Sequence, residues 1–203
     1  MTLKIIVPPH PLIAHWLTML RDVSTPPPIY STAFEQLGKW LTYEAIREWL
    51  PTRKDKIRTS QGSTEGIVIE YGIPILAIPH LPAGLHLWEG AKELLPNANL
   101  CLGGIPSQVE DNSGLIIYLD QITEGKTLIS YLSILKEKNI HLQRIKIISA
   151  IAASPGLKKL AESFPDLTIY TACIDPEINP EGDIVPGIGN PTKRINTRIT
   201  SSN

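Results

Sequence analysis

The densest apolar block of the chain, Leu115 to Leu119, runs into Asp120, then into a short polar turn containing Gly125, then into a helical spacing that begins near Thr127. An unbroken apolar run of this length fits a strand buried on both faces, and the spacing after it fits an amphipathic helix. In an α/β sheet the loop between them lies at the carboxyl edge, where the free N–H groups of a helix start favour anions. A phosphate site and an ordinary β–α connection are both compatible with this stretch.

The pattern repeats on either side of it. Leu3 to Val7 predicts a short strand or extended arm stopped by Pro8-Pro9. His10 to Arg21 predicts a helix with Leu12, His15, Trp16, Met19 and Leu20 on one apolar face, and Thr32 to Leu50 a longer one striped by Phe34, Leu37, Leu41 and Ala45, with Trp40 at its edge. Gly66–Tyr71 and Ile73–Ile78 read as a hairpin around Gly72, or as two successive strands. Beyond them follow a helix over Gly84–Leu95, a strand over Asn99–Leu102, a helix over Thr127–Glu137, a strand over Ile145–Ser149, a helix over Leu157–Phe164 and a strand over Leu167–Thr171. Strands alternating with helices predict a twisted parallel sheet with helices on both faces.

Composition narrows the class. The chain has 203 residues, 42% hydrophobic and 19% charged, with a net charge of −1, which suits a globular α/β protein and offers no broad basic field for nucleic acid. No apolar run approaches the ~20 residues of a membrane span, and no signal peptide is recognisable. Two cysteines, Cys101 and Cys173, sit far apart in apolar surroundings, a pattern of buried thiols in a reducing cytoplasm. Prolines cluster at Pro8-Pro9, Pro26–Pro28 and Pro176–Pro191, predicting long ordered loops, and the polar tail from Thr197 to Asn203 is expected to fray.

One tempting chemistry is excluded and another is disfavoured. Gly125-Lys126-Thr127 resembles the end of a Walker A loop, but that motif needs a glycine where Asp120 stands. His10 and His15 invite a metal, yet no further ligands of suitable type are identifiable nearby, so capping and core packing are expected and no metal site is assigned.

The acidic strand end followed by Thr123-Glu124-Gly125-Lys126-Thr127 resembles the loop of phosphoribosyltransferases that holds the 5-phosphate of phosphoribosyl diphosphate. Other runs extend the likeness: HPLIAHWLTMLR (His10 to Arg21), GKWLTYEA (Gly38 to Ala45), IPHLPAGLHLWEG (Ile78 to Gly90), LPNA (Leu95 to Ala98), AASPGL (Ala152 to Leu157), FPDLTIYTACID (Phe164 to Asp175) and GDIVPGIG (Gly182 to Gly189). Together they resemble the uracil phosphoribosyltransferase family over nearly the whole chain. The resemblance implies one domain over residues 1–203, with a helical dimerisation arm over 1–50, an α/β core over 65–175 and a proline-rich hood over 176–197 at the sheet's carboxyl edge. It assigns Asp120 to catalysis and Thr123, Glu124, Gly125, Lys126 and Thr127 to the phosphate loop. Val185, Pro186, Gly187, Ile188 and Gly189 fall to the loop that contacts uracil, and Ala83, Gly84 and Arg194 to the diphosphate side.

Several positions depart from the family pattern. The phosphate loop is one residue short, with Glu124 where a small hydroxyl residue would face the phosphate and Lys126 in place of a glycine. Pro82, Ser31 and Pro106 replace arginines, and Gly189-Asn190-Pro191-Thr192-Lys193-Arg194 lacks the family's two aspartates. The segment from Pro106 to Leu115 leaves little of a flexible arm over the diphosphate. One reading is a transferase-like protein with reduced or lost activity that serves as a binding or interaction module. It would take a phosphorylated small molecule, a nucleotide or a protein partner, and an exposed patch at Trp88, Trp16 and His80 would mark its surface. The other is a working enzyme of pyrimidine salvage that makes UMP with Mg²⁺, using Lys126, Arg194 or His86 in place of the missing arginines. On either reading the resemblance implies a homodimer packed through His10–Arg21, Thr32–Leu50 and Ala83–Pro96.

Overall fold

The computed structural model of the chain describes residues 2–196, so the expectation for the Thr197–Asn203 tail lies outside the described residues. In chain order the elements are β1 (Lys4–Ile6), α1 (Pro11–Arg21), α2 (Pro27–Ile46), β2 (Thr52–Thr59), β3 (Gly62–Ile69), β4 (Ile75–Pro79), α3 (Gly84–Ala91), β5 (Asn99–Leu100), β6 (Gly114–Ile122) and α4 (Lys126–Glu137). After a 3₁₀ turn at Leu142–Arg144 come β7 (Ile145–Ala153), α5 (Ser154–Ser163), β8 (Thr168–Thr171), β9 (Ile174–Asp175), β10 (Glu177–Ile178), β11 (Ile184–Val185) and α6 (Pro191–Ile195).

Six strands lie in the order β1-β8-β7-β6-β4-β5, all pairs parallel, with β9 extending the sheet alongside the end of β7. Strand β6 is central, which accounts for its sequence: Gly114 to Leu119 are buried, so no polar face appears. Two apolar layers sandwich the sheet. On one face Ile116, Tyr118 and Ile148 pack with Leu20 of α1, Phe34, Leu37 and Leu41 of α2, and Leu87 and Trp88 of α3. On the other, Leu115, Ile117 and Ile147 pack with Leu128, Leu132 and Leu135 of α4 and Leu157 and Leu160 of α5. The result is a mostly parallel α/β sheet with helices on both faces, as the alternation predicts.

Five expectations need correction. The hairpin does not turn at Gly72: β2 and β3 pair antiparallel from Thr52↔Ile69 to Thr59↔Gly62, while β4 enters the main sheet, so the alternative of successive strands holds for β3 and β4. Helix α2 starts at Pro27 rather than Thr32, because a proline in the first turn lacks only an N–H that a helix start leaves unpaired anyway. The buried face of α1 is Ile13 and Leu20 with Trp16, Leu17 and Met19 partly covered, whereas Leu12 and His15 are exposed. Trp88 is buried against Tyr118, at a ring separation of 5.9 Å, and cannot belong to a surface patch. Trp16 and His80 are each only partly covered. Neither cysteine is fully buried; both are partly covered and free. His10 caps α1 as expected, its Nδ1 accepting the Leu12 N–H at 3.1 Å, and stacks on Trp40.

Candidate active site

The carboxyl ends of β4, β6 and β7 meet three segments: the turn into α3, the turn into α4, and the hood formed by β9 to α6. Strand β6 continues through Asp120 to Ile122, so Asp120 lies within the strand rather than at its end. One carboxylate oxygen of Asp120 accepts the Gln121 N–H at 2.9 Å. Burial raises the Asp120 pKa, while that hydrogen bond and the nearby His80 ring act in the opposite sense.

Thr123 to Thr127 form the turn into α4 and, with Leu119, Gln121, Ile122, Leu128 and Gly182 of the hood, line a cleft of about 260 Å³. Gly125 occupies the N-cap of α4 at φ 77°, left-handed backbone that a side chain would strain, and no side chain caps the helix. The first N–H groups of α4 therefore lack a capping side-chain oxygen, the arrangement that favours an anion. Behind the turn α5 presses close, since a Cβ on Gly156 would lie 1.9 Å from the Thr123 carbonyl oxygen. An anion is already at hand. The Glu124 carboxylate lies 2.5 Å from Lys126 Nζ and 3.8 Å from Lys159 Nζ, and these lysines hold its pKa below the usual carboxylate range.

On the α3 side, Ala83 is the helix N-cap and the Gly84 N–H donates to the His80 carbonyl at 2.9 Å. A Cβ on Gly84 would lie 2.5 Å from the Tyr118 carbonyl oxygen, so the glycine lets α3 start hard against β6. The His80 ring, on the strand-to-helix turn, meets the Tyr131 hydroxyl of α4 at 3.3 Å. Tyr131 and Lys159 are polar groups here that sequence patterning did not single out, whereas His80 was expected only as part of a surface patch.

The Val185–Gly189 segment of the hood is held from the N-terminal arm. Arg21, the last residue of α1, donates from Nη1 to the Gly187 carbonyl at 3.0 Å, and its guanidinium pairs with both Asp175 oxygens at 3.0 and 2.6 Å. Asp175 also accepts the Gly187 N–H at 3.0 Å. The Tyr30 hydroxyl donates to the Ile188 carbonyl at 3.1 Å. Gly187 and Ile188 are thus buried, while Val185, Pro186 and Gly189 face outward. Tyr30 matches the family resemblance of the N-terminal arm, but Arg21 and Asp175 were given no role of their own because nothing within a few residues marks their pairing, which spans more than a hundred residues of sequence.

The proposed substitute cations are engaged elsewhere. Arg194 stacks over the Tyr30 ring, 4.0 Å from its centroid, and donates to the carbonyls of Leu20, Asp22 and Ile188, so it braces the hood rather than standing beside Gly84. His86 bonds Glu89 at 3.0 Å with Glu35 at 3.9 Å, and Lys126 pairs with Glu124. Glu35, His86 and Glu89 form the one triad of metal-ligand type among the described residues, and it lies between α2 and α3, away from the phosphate-type turn. Among the described residues no helix is long and apolar enough to cross a membrane.

A parallel sheet whose central strand carries an acidic residue near its carboxyl end and runs into a glycine turn at a helix start, overhung by a separate hood, defines a phosphoribosyltransferase-type α/β protein. The chain belongs to the uracil phosphoribosyltransferase family, whose family model matches residues 7–196. It is 38% identical to the uracil phosphoribosyltransferase of Synechococcus elongatus over 95% of this chain and 96% of the relative. It is 39% identical to the chloroplastic uracil phosphoribosyltransferase of Arabidopsis thaliana over 92% of this chain and 68% of that protein. Among solved structures, the AQ2163 protein from Aquifex aeolicus superposes with a TM-score of 0.79 at 27% identity, covering 95% of this chain and 98% of that one.

Proposed function

We propose that the chain transfers the ribosyl 5-phosphate of phosphoribosyl diphosphate to uracil, giving UMP and diphosphate in pyrimidine salvage, with turnover held down on the phosphate side. The bond from C1 of the ribose to the diphosphate oxygen breaks, a bond from C1 to a uracil nitrogen forms, and that nitrogen's proton leaves to solvent. The observation that supports this reading is the bracing of Val185 to Gly189 through Gly187 and Ile188, which would leave the base side in working order beside the sheet edge that carries Asp120. Complete loss of activity has less support, because relatives that match this chain nearly end to end bear the transferase name.

In this reading Asp120 bonds the ribose hydroxyls, the N–H groups at the start of α4 take the 5-phosphate, and Ala83 and Gly84 border the diphosphate. Mg²⁺ is commonly held by one or two carboxylates plus substrate phosphates, and Asp120 fits that donor set while Glu124 is committed to lysines. When bound, the ion neutralises charge on the departing diphosphate. The family's arginine positions are Ser31, Pro82 and Pro106, and loss of one charged donor of this kind costs ~10²–10³ in rate. Two copies of the chain pair through α1, α2 and α3.

A second reading, a phosphate- or nucleotide-binding module without turnover, is favoured by one observation: Glu124 occupies its two lysines at the turn where a phosphate would bind. Both readings are tested by UMP formation from radiolabelled uracil at high protein concentration with Mg²⁺, for wild type and Glu124→Thr. Measurable Mg²⁺-dependent UMP, rising with Glu124→Thr by about tenfold as two lysines are released and a repulsive carboxylate is removed, supports the transferase. No UMP from either protein, with phosphate binding retained, selects the binding module.

A further inference from the structure

We infer that Arg21 and Asp175 are positioning residues for base recognition: their ion pair grips both polar groups of Gly187 and thereby sets affinity for the base independently of the sugar-phosphate side. The inference rests on the function proposed above.

Asp175 is 4% exposed, too deep for a carboxylate without a charged partner. Arg21 supplies that partner in two-pronged form, and a pair of this kind could brace α1 against β9 with no further contact. Instead both side chains converge on one residue. Arg21 Nη1 reaches the Gly187 carbonyl and Asp175 Oδ2 receives the Gly187 N–H, each at 3.0 Å, closing a ring of hydrogen bonds around a single glycine. That glycine lies at φ 64°, and a Cβ on it would stand 2.1 Å from the Ile184 carbonyl oxygen, so the bend is one that a side chain would forbid.

With its N–H and C=O both taken from the buried side, Gly187 itself has nothing to offer a base. Its role is to present its neighbours: Val185, Pro186 and Gly189 are turned outward by the same bend. The brace also explains an arginine at this position. One planar fork meets Asp175, Gly187 and the Cys173 sulfur, the last at 3.0 Å, and a lysine ammonium cannot span all three. The phosphate-type turn at Thr123–Thr127 receives none of these bonds.

The test is a set of calorimetric titrations of the full chain with uracil and, separately, with Mg²⁺-phosphoribosyl diphosphate. Arg21→Met and the isosteric Asp175→Asn are expected to weaken uracil binding by about tenfold or more, the range for hydrogen bonds to charged groups, with the diphosphate affinity unchanged within about twofold. Arg21→Lys should fall between wild type and Arg21→Met. Unchanged uracil affinity, or equal weakening of both ligands, overturns the inference and leaves the pair a brace of the fold. Should Arg21→Met fail to fold, Asp175→Asn carries the same two outcomes. Absence of uracil binding by the wild type would overturn the function proposed above instead. The clamp is then read from amide exchange at Gly187, which should speed up in Asp175→Asn or Arg21→Met while the Ile117 amide stays protected; equal exchange in wild type and variant overturns it.

Discussion

At Asp120, function and stability oppose each other. Burial raises its folded pKa above the unfolded value, so its contribution to stability is present below the unfolded pKa and is lost as pH rises through the folded one. Near neutral pH the ionised carboxylate costs stability, and the proposed role in holding the ribose explains why it is kept. Asp120→Asn is therefore expected to raise the thermal midpoint at pH 7 while lowering UMP formation by about 10²-fold or more, read by calorimetry and the turnover assay. A lowered midpoint would show that the carboxylate is well solvated or paired. Cys173 gives a second residue-scale prediction. Burial pushes its thiol up to about 11, so only about a thousandth is thiolate at pH 8, and iodoacetamide should leave it unmodified until the protein unfolds. Asp120 and Gly125 were legible in the sequence because the first charge after an apolar run and a helix start announce themselves within a few residues, although the strand runs on past Asp120 to Ile122. Arg21 and Asp175 were not, since a helix's last arginine and an aspartate before a proline look ordinary until the fold brings them together.

At the scale of elements, the apolar strands and helices of the core were readable, and the misreadings share one cause. Strand β2 reads TRKDKIRT and is exposed at every position, so it has no apolar face for periodicity to detect, and its hairpin was assigned to the next apolar stretch instead. The prolines before α2 looked like a loop because they are one elsewhere in the chain. Here they open the helix, with Pro26 at the N-cap and Pro27 and Pro28 in its first turn. A packing feature invisible to patterning joins α2 to α3: a Cβ on Gly90 would lie 1.7 Å from the Glu35 carbonyl oxygen, and one on Gly38 1.9 Å from that of Leu87. The helices touch backbone to backbone at these two points. Gly90→Ala should force them apart and destabilise the fold by about 1–3 kcal/mol, seen as a lower denaturation midpoint by tryptophan fluorescence. An unchanged midpoint would mean that the pair is loosely packed.

At the scale of the molecule, the proposed pairing through α1, α2 and α3 predicts about twice the 22.4 kDa chain mass by light scattering at micromolar concentration; the chain mass alone would refute it. The whole fold is wound so that its first long helix and its hood, distant in sequence, close on each other. The bonds from Arg21 to Asp175 and Gly187 and from Arg194 to Leu20 span 154 to 174 residues. Contacts of such separation are the slowest to form, because the intervening chain must be ordered first, and the cost of closing so long a loop is met only when the sheet already exists. A refolding chain should accordingly acquire its parallel sheet before the bend at Gly187. The same logic runs backwards in mild denaturant, where the latch opens ahead of the core. The protein would then pass through a state that is compact but has lost its braced bend, so that, on the function proposed above, base recognition would report the last kilocalories of folding rather than the first.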